Sequence, residues 1–151
     1  MLERPRDAAA RIIVAIDTPE IDTAITYAIA LGSEVGLLKL GLEFFLARGP
    51  RGVEAVASRG LPIFLDLQLH DIPNTVAGAV RSASNLGPAM LTVHAAGGRA
   101  MLEAARRAAD MAGDARPAGM IVVDEMQFRA LPAAIANARA YRAQALGDIA
   151  G

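Results

Sequence analysis

The sequence contains no cysteine and no tryptophan, and only one of its 15 basic residues, Lys39, is a lysine. Without cysteine, disulfides and thiolate metal sites are excluded. Aromatic residues make up 4% of the chain, yet 54% is hydrophobic and 21% charged, which suits a buried core and not a disordered tail. Excess charge is missing too: 15 basic against 16 acidic residues leave a formal −1. That balance argues against a nucleic-acid partner, which calls for a clustered basic face, and against an electrostatic membrane anchor. No apolar run approaches the roughly 18 residues of a membrane span. Met1 to Ala10 alternate charges instead of opening a signal peptide. The expected location is therefore cytoplasmic, with no membrane partner.

What is present is a repeated unit. Arg11 to Asp17 is a short continuous apolar run, as expected of a strand covered on both faces. Thr18-Pro19-Glu20 then supplies a cap, a proline for a first helical position and an acid for the first turn. Ile21, Ala24, Ile25, Ala28 and Ile29 recur at helical spacing up to a stop at Gly32. Val35 to Leu40 reads as a second strand, and Glu43 to Ser58 as a helix broken near Gly49-Pro50. Leu61 to Leu67 is a third strand and Pro73 to Leu86 a third helix. Ala89 to His94 is a fourth strand, and Gly98 to Ala112 an alanine-rich helix. After Gly113 the pattern weakens, with Gly119 to Val123 as a possible fifth strand and Pro132 to Leu146 as helix.

This alternation predicts an α/β fold with a parallel sheet and right-handed crossovers. With no linker or low-complexity stretch, residues 1–151 read as a single domain. A complete (β/α)8 TIM barrel needs roughly 200 residues or more. The expectation is a partial barrel of about four to five β/α units, or an open sheet.

In parallel α/β folds chemistry gathers at the carboxyl ends of the strands. Asp17, Lys39, Asp66 with Gln68, and His94 fall at or near four such ends in turn, and Asp71 follows in the next turn. In a regular strand Asp66 and Gln68 face the same way. Lys39 sits among apolar neighbours, and Asp66 on the adjacent strand is its natural partner. Such a pair reads either as an internal ion pair without chemistry or as part of a site. His94 reads equally as a substrate contact or a structural histidine. His70 belongs to a loop, and no metal-ligand cluster stands out. Gly97-Gly98 ahead of a helix suits either a tight turn or a phosphate contact.

The segment Phe64-Leu-Asp-Leu-Gln-Leu-His-Asp-Ile-Pro-Asn-Thr-Val76 resembles the signature of orotidine 5'-phosphate decarboxylases. That family reads Asp-x-Lys-x-x-Asp-Ile, followed in bacterial members by Pro-Asn-Thr. Val14 to Asp17, Lys39 to Phe45 and Leu91 to Gly98 are similar to its first, second and fourth strand motifs. The likeness spans residues 11–112, with 113–151 a shortened remnant of the family's C-terminal part. It implies decarboxylation of orotidine monophosphate to uridine monophosphate, in pyrimidine biosynthesis, with no cofactor and no metal. It also implies a homodimer of barrels whose nucleotide sites lie at the interface. By that resemblance Asp17 and Lys39 hold the ribose and build a charged network, and Asp66 sits beside the substrate carboxylate. Asp71 and Thr75 come from across the dimer, and Ile72, His94 and Arg116 are taken as substrate-binding positions.

Two departures stand out. Where the family has its proton-donating lysine the chain has Gln68, whose carboxamide carries neither charge nor a titratable proton near pH 7. In the tail, Ala115 to Gly119 is faintly similar to a late phosphate-binding loop. There Glu125 and Asp148 stand where a glutamine and an arginine are expected, leaving Arg116 as the remaining phosphate candidate. The expectation is thus a family member impaired by Gln68 and by the shortened barrel. One alternative is a non-catalytic half-barrel that self-associates or pairs with a full-length homologue. Another is a different sugar-phosphate enzyme on the same scaffold.

Overall fold

The structure, a computed structural model, describes residues 8–112 and 121–123. Strands β1 (Ile13–Ile16), β2 (Leu37–Gly41), β3 (Ile63–Leu69), β4 (Met90–Val93) and β5 (Ile121–Val123) form one sheet. Helices α1 (Ile21–Leu31), α2 (Leu42–Ala57), α3 (Pro73–Ser84) and α4 (Gly98–Asp110) alternate with the first four strands. Every neighbouring pair is parallel and the order is sequential, β1-β2-β3-β4-β5. Right-handed crossovers between consecutive neighbours carry all helices to one side of the sheet. That is the winding of a barrel; a doubly wound sheet reverses its strand order. Sequential order thus selects the partial barrel over the open-sheet alternative.

Strand alternation shows where the core lies. Leu38, Leu40, Leu65 and Leu91 are fully buried and form one cluster with Ala24 and Ala28 of α1, Phe44 and Val53 of α2, Val80 of α3 and Met101 of α4. The residues of opposite parity are less covered: Ile13 is 40% exposed, and Lys39, Phe64, Asp66 and Thr92 are half-buried. Among the described residues the sheet is therefore packed on one face, not on both as the apolar run in β1 suggests.

Local chemistry sets most boundaries. Pro73 opens α3 at its first turn, where a missing N–H costs nothing. Gly32 closes α1 at φ 46°, and Gly49, at φ 61° and ψ −163°, breaks α2 just before Pro50. Gly36 is required by contact: its N–H donates to the Ile12 carbonyl at 2.9 Å, and a Cβ there would collide with the Ala10 carbonyl. The start of α1 differs from expectation. Helix begins at Ile21, because the Thr18 hydroxyl accepts from the Glu20 N–H at 3.1 Å and closes a turn ahead of it. Ile29, expected on the apolar face, is 62% exposed. From α2, Arg48 donates to the Pro19 carbonyl and pairs with Glu20 at 2.8 Å, tying down the loop after β1.

Candidate functional site

Register brings the second and third strands into line so that Lys39 lies opposite Phe64 and Gly41 opposite Asp66. Lys39 and Gly41 share a face of β2, so the Lys39 side chain can run past the glycine toward the aspartate. Its Nζ reaches Asp66 Oδ2 at 3.1 Å. The two side chains are 24% and 19% exposed, so the pair is largely shielded without being sealed from water. Shielding strengthens their attraction relative to a surface pair. The other oxygen of Asp66 is also occupied: Thr92 Oγ1 donates to Oδ1 at 2.8 Å. With one partner on each oxygen, the carboxylate is fixed in plane and direction.

Gln68 departs from the expected pleat. Its φ is +51°, the one non-glycine residue with positive φ among those described. The β3–β4 ladder slips there, with Leu65 opposite Leu91 but Leu69 opposite Val93. The simple rule that Asp66 and Gln68 share a face therefore does not apply: the bulge breaks the alternation that the rule assumes. The Gln68 N–H is not orphaned, because it donates to Thr92 Oγ1 at 2.9 Å.

The remaining predicted residues are held differently. Asp17 is exposed just after β1. Asp71, Ile72 and Thr75 all lie in an exposed stretch around the start of α3, with Ile72 66% exposed. Asp71 Oδ1 accepts from the adjacent Ile72 N–H at 2.7 Å. Among the described residues, no hydrogen bond or ion pair joins Asp17, Asp71 or Thr75 to the Lys39–Asp66 pair. His94 is half-buried, donates its backbone N–H to Leu69 at 2.9 Å, and places its ring 5.5 Å from that of His70. Gly97 and Gly98 have structural reasons: a Cβ on Gly97 would strike the Met101 thioether, and Gly98 adopts φ 79°. Arg116, Glu125 and Asp148 lie outside the described residues. No group of three or more possible metal ligands occurs among the described residues. None of their helices is long and apolar enough to cross a membrane.

Thr92 was not singled out from the sequence. The signal was available in principle, since Thr92 is a polar residue of inward parity in an apolar strand beside the one carrying Asp66.

Residues 10–143 match the model of the family described as "Orotidine 5'-phosphate decarboxylase / HUMPS family". The chain belongs to this family. Over 98 residues it is 62% identical to the orotidine 5'-phosphate decarboxylase of Sphingopyxis alaskensis, covering 65% of this chain and 44% of that protein. The enzyme of the same name from Thermobifida fusca is 50% identical over 126 residues, 83% of this chain and 53% of that one. Among solved structures, the orotidine 5'-phosphate decarboxylase of Lactobacillus acidophilus superposes with a TM-score of 0.59 at 36% identity, covering 74% of this chain and 49% of that chain. The chain thus spans about half the length of these relatives. Asp66 and Asp71 lie in the segment 64–76, and Lys39 in the segment 39–45, by which the sequence resembles the family.

Proposed function

We propose that the chain carries the nucleotide-facing strands of an orotidine 5'-phosphate decarboxylase site, in cytoplasmic pyrimidine biosynthesis, with its proton-transfer step disabled by Gln68. The supporting observation is the Lys39–Asp66 ion pair between β2 and β3, its residues drawn from two segments, 39–45 and 64–76, that resemble motifs of that family. In this reading Asp66 opposes the carboxylate of bound orotidine monophosphate, and repulsion is relieved as the bond to that carboxylate breaks. Carbon dioxide leaves, and the bonding electron pair stays on the ring carbon, where a nearby ammonium stabilises it. That carbanion then needs a proton. Gln68 offers no acidic one, and Lys39, the sole lysine, is engaged with Asp66. Losing a general acid costs roughly 10²–10⁴-fold. Asp17 would contact the ribose, Ile72 and His94 would border the nucleotide, and Asp71 and Thr75 would serve the site of a dimer partner. No cofactor or metal is invoked.

The test is the loss of orotidine monophosphate absorbance with the purified chain and with Gln68→Lys. The unmodified chain should turn over at least about 10²-fold more slowly than the variant. Turnover of the unmodified chain equal to that of Gln68→Lys would refute the role given to Gln68. If both stay silent, the strands described here do not suffice for catalysis.

A second reading is favoured by the half-covered inner face of the sheet, where Ile13 is 40% exposed. Here the chain is a non-catalytic half-barrel whose inner face is completed by a second copy or a longer homologue. Sedimentation equilibrium decides it, because a stable monomer at micromolar concentration contradicts self-association.

A further inference from the structure

The slip between β3 and β4 sets three residues against one. Between the paired Leu65–Leu91 and Leu69–Val93, β3 spends Asp66, Leu67 and Gln68, whereas β4 has Thr92 alone. Such a bulge normally leaves a ladder N–H without a partner and forces one residue out of extended backbone. Both consequences fall on Gln68, at φ +51°. The Thr92 hydroxyl answers both sides of the problem, because a hydroxyl accepts and donates at once. It accepts from the Gln68 N–H at 2.9 Å and donates to Asp66 Oδ1 at 2.8 Å. Asp66 is thereby left with Oδ2 turned to Lys39.

We propose that Thr92 is a positioning residue of this site: its one hydroxyl couples the direction of the Asp66 carboxylate to the backbone conformation of residue 68. The two positions that flank the reacting centre in the proposed decarboxylase reading, on which this inference builds, are then aimed as a unit. Only a residue with a hydroxyl at this distance from the backbone does both jobs. Valine has the same shape and does neither, while serine keeps both bonds.

The test uses Thr92→Val, Thr92→Ser and the fact that Lys39 is the only lysine, which gives a single side-chain ammonium signal in nitrogen-15 spectra. Thr92→Val should speed hydrogen exchange at the Gln68 amide about tenfold, the worth of one net hydrogen bond, while Val80 in α3 stays as protected as before. The Lys39 ammonium signal should also shift, because the Asp66 carboxylate beside it is no longer held in one direction. Thr92→Ser should leave both readouts unchanged. If Thr92→Val does not fold, Thr92→Ala removes the same hydroxyl without added bulk and takes its place. Unchanged exchange at Gln68 in the hydroxyl-free variant, or equal loss in Thr92→Ser, overturns the proposal.

In the Gln68→Lys background, Thr92→Val should lower kcat about tenfold with KM nearly constant, and Thr92→Ser should restore it; an unaltered kcat counts against positioning. If Gln68→Lys shows no turnover, the strands described here do not suffice for catalysis, and the exchange and ammonium readouts still decide the role of Thr92.

Discussion

Asp66 and Asp71 belong to one short motif, and the fold treats them in opposite ways. Asp66 is largely shielded, with Lys39 on one oxygen and Thr92 on the other. Asp71 is exposed, and its carboxylate meets the N–H of its own neighbour, Ile72. One carboxylate is oriented by three strands of this chain; the other is held only by local backbone. The difference teaches which half of the motif a single copy can organise. A strand residue, in register with β2 and hydrogen-bonded to Thr92 of β4, has its side chain delivered to a fixed point. A turn ahead of a helix presents its residues outward, where Asp71 meets only the backbone beside it.

The bluntest way to break this contrast is to loosen the strand that carries Asp66 while sparing the turn that carries Asp71. Leu65 is fully buried on the helix side of β3, one residue before Asp66. Leu65→Ala should cost about 2–5 kcal/mol, from lost burial plus the cavity left behind. Urea denaturation measures it. A loss under about 1 kcal/mol would mean that the sheet does not hold Asp66 by packing.

Next in size is the contrast itself. Asp66→Asn leaves the shielded Lys39 ammonium without an anion and should cost about 1–2 kcal/mol, between the values of surface and buried pairs. Asp71→Asn should stay within about 0.5 kcal/mol, as surface changes do. Equal effects of the two substitutions in the same denaturation series would erase the distinction.

How much of this was legible beforehand follows the same division between local and non-local causes. Pro73 at the start of α3, Gly32 at the end of α1 and the break at Gly49 are local, and residue type alone announces them. The Lys39–Asp66 pair was legible because each is the one charged residue of a mostly apolar strand, and consecutive strands of an α/β chain are usually neighbours. Strand order across the whole sheet was legible only through the family resemblance, which implies barrels. Hydrophobic pattern reports how buried a segment is, not which strand lies beside it, so a barrel segment and an open sheet read alike until the register is seen. The conformation of Gln68 was hidden for a related reason: the bulge arises from pairing with β4, 24 residues downstream at Thr92. Thr18-Pro19-Glu20 held the right residue types for a helix start, but the Thr18 hydroxyl spends itself on a turn, and the boundary moves to Ile21.

Gln68 gives a subtler prediction. A side chain at positive φ costs on the order of 1–2 kcal/mol that glycine does not incur, against roughly 0.5–1 kcal/mol for the freedom glycine adds to the unfolded chain. Gln68→Gly should therefore raise stability by about 0.5–1 kcal/mol. A fall in stability would show that the exposed glutamine side chain contributes more than its backbone strain removes.

The smallest effect comes from a carboxylate that has partners but no shielding. Glu103 on α4 meets Arg99 at 2.8 Å and Arg107 at 3.7 Å on the helix surface. Its carboxyl is held below the ordinary 4.5, first by the hydrogen bond from Arg99, then by that guanidinium's charge, with a smaller contribution from Arg107. A depressed folded-state value means that the stabilisation is complete above the ordinary value and disappears as the pH falls through the folded one. Glu103→Gln should therefore lower Tm slightly near neutrality, and the difference should close in acid and in high salt, where screening removes exposed pairs. Thermal unfolding of both forms across that range is the measurement. If Glu103→Gln matches Asp66→Asn in size at neutral pH, partners alone would account for Asp66. A clear gap between the two assigns the extra stabilisation to the shielding that β2, β3 and β4 give Asp66 and that no residue gives Asp71.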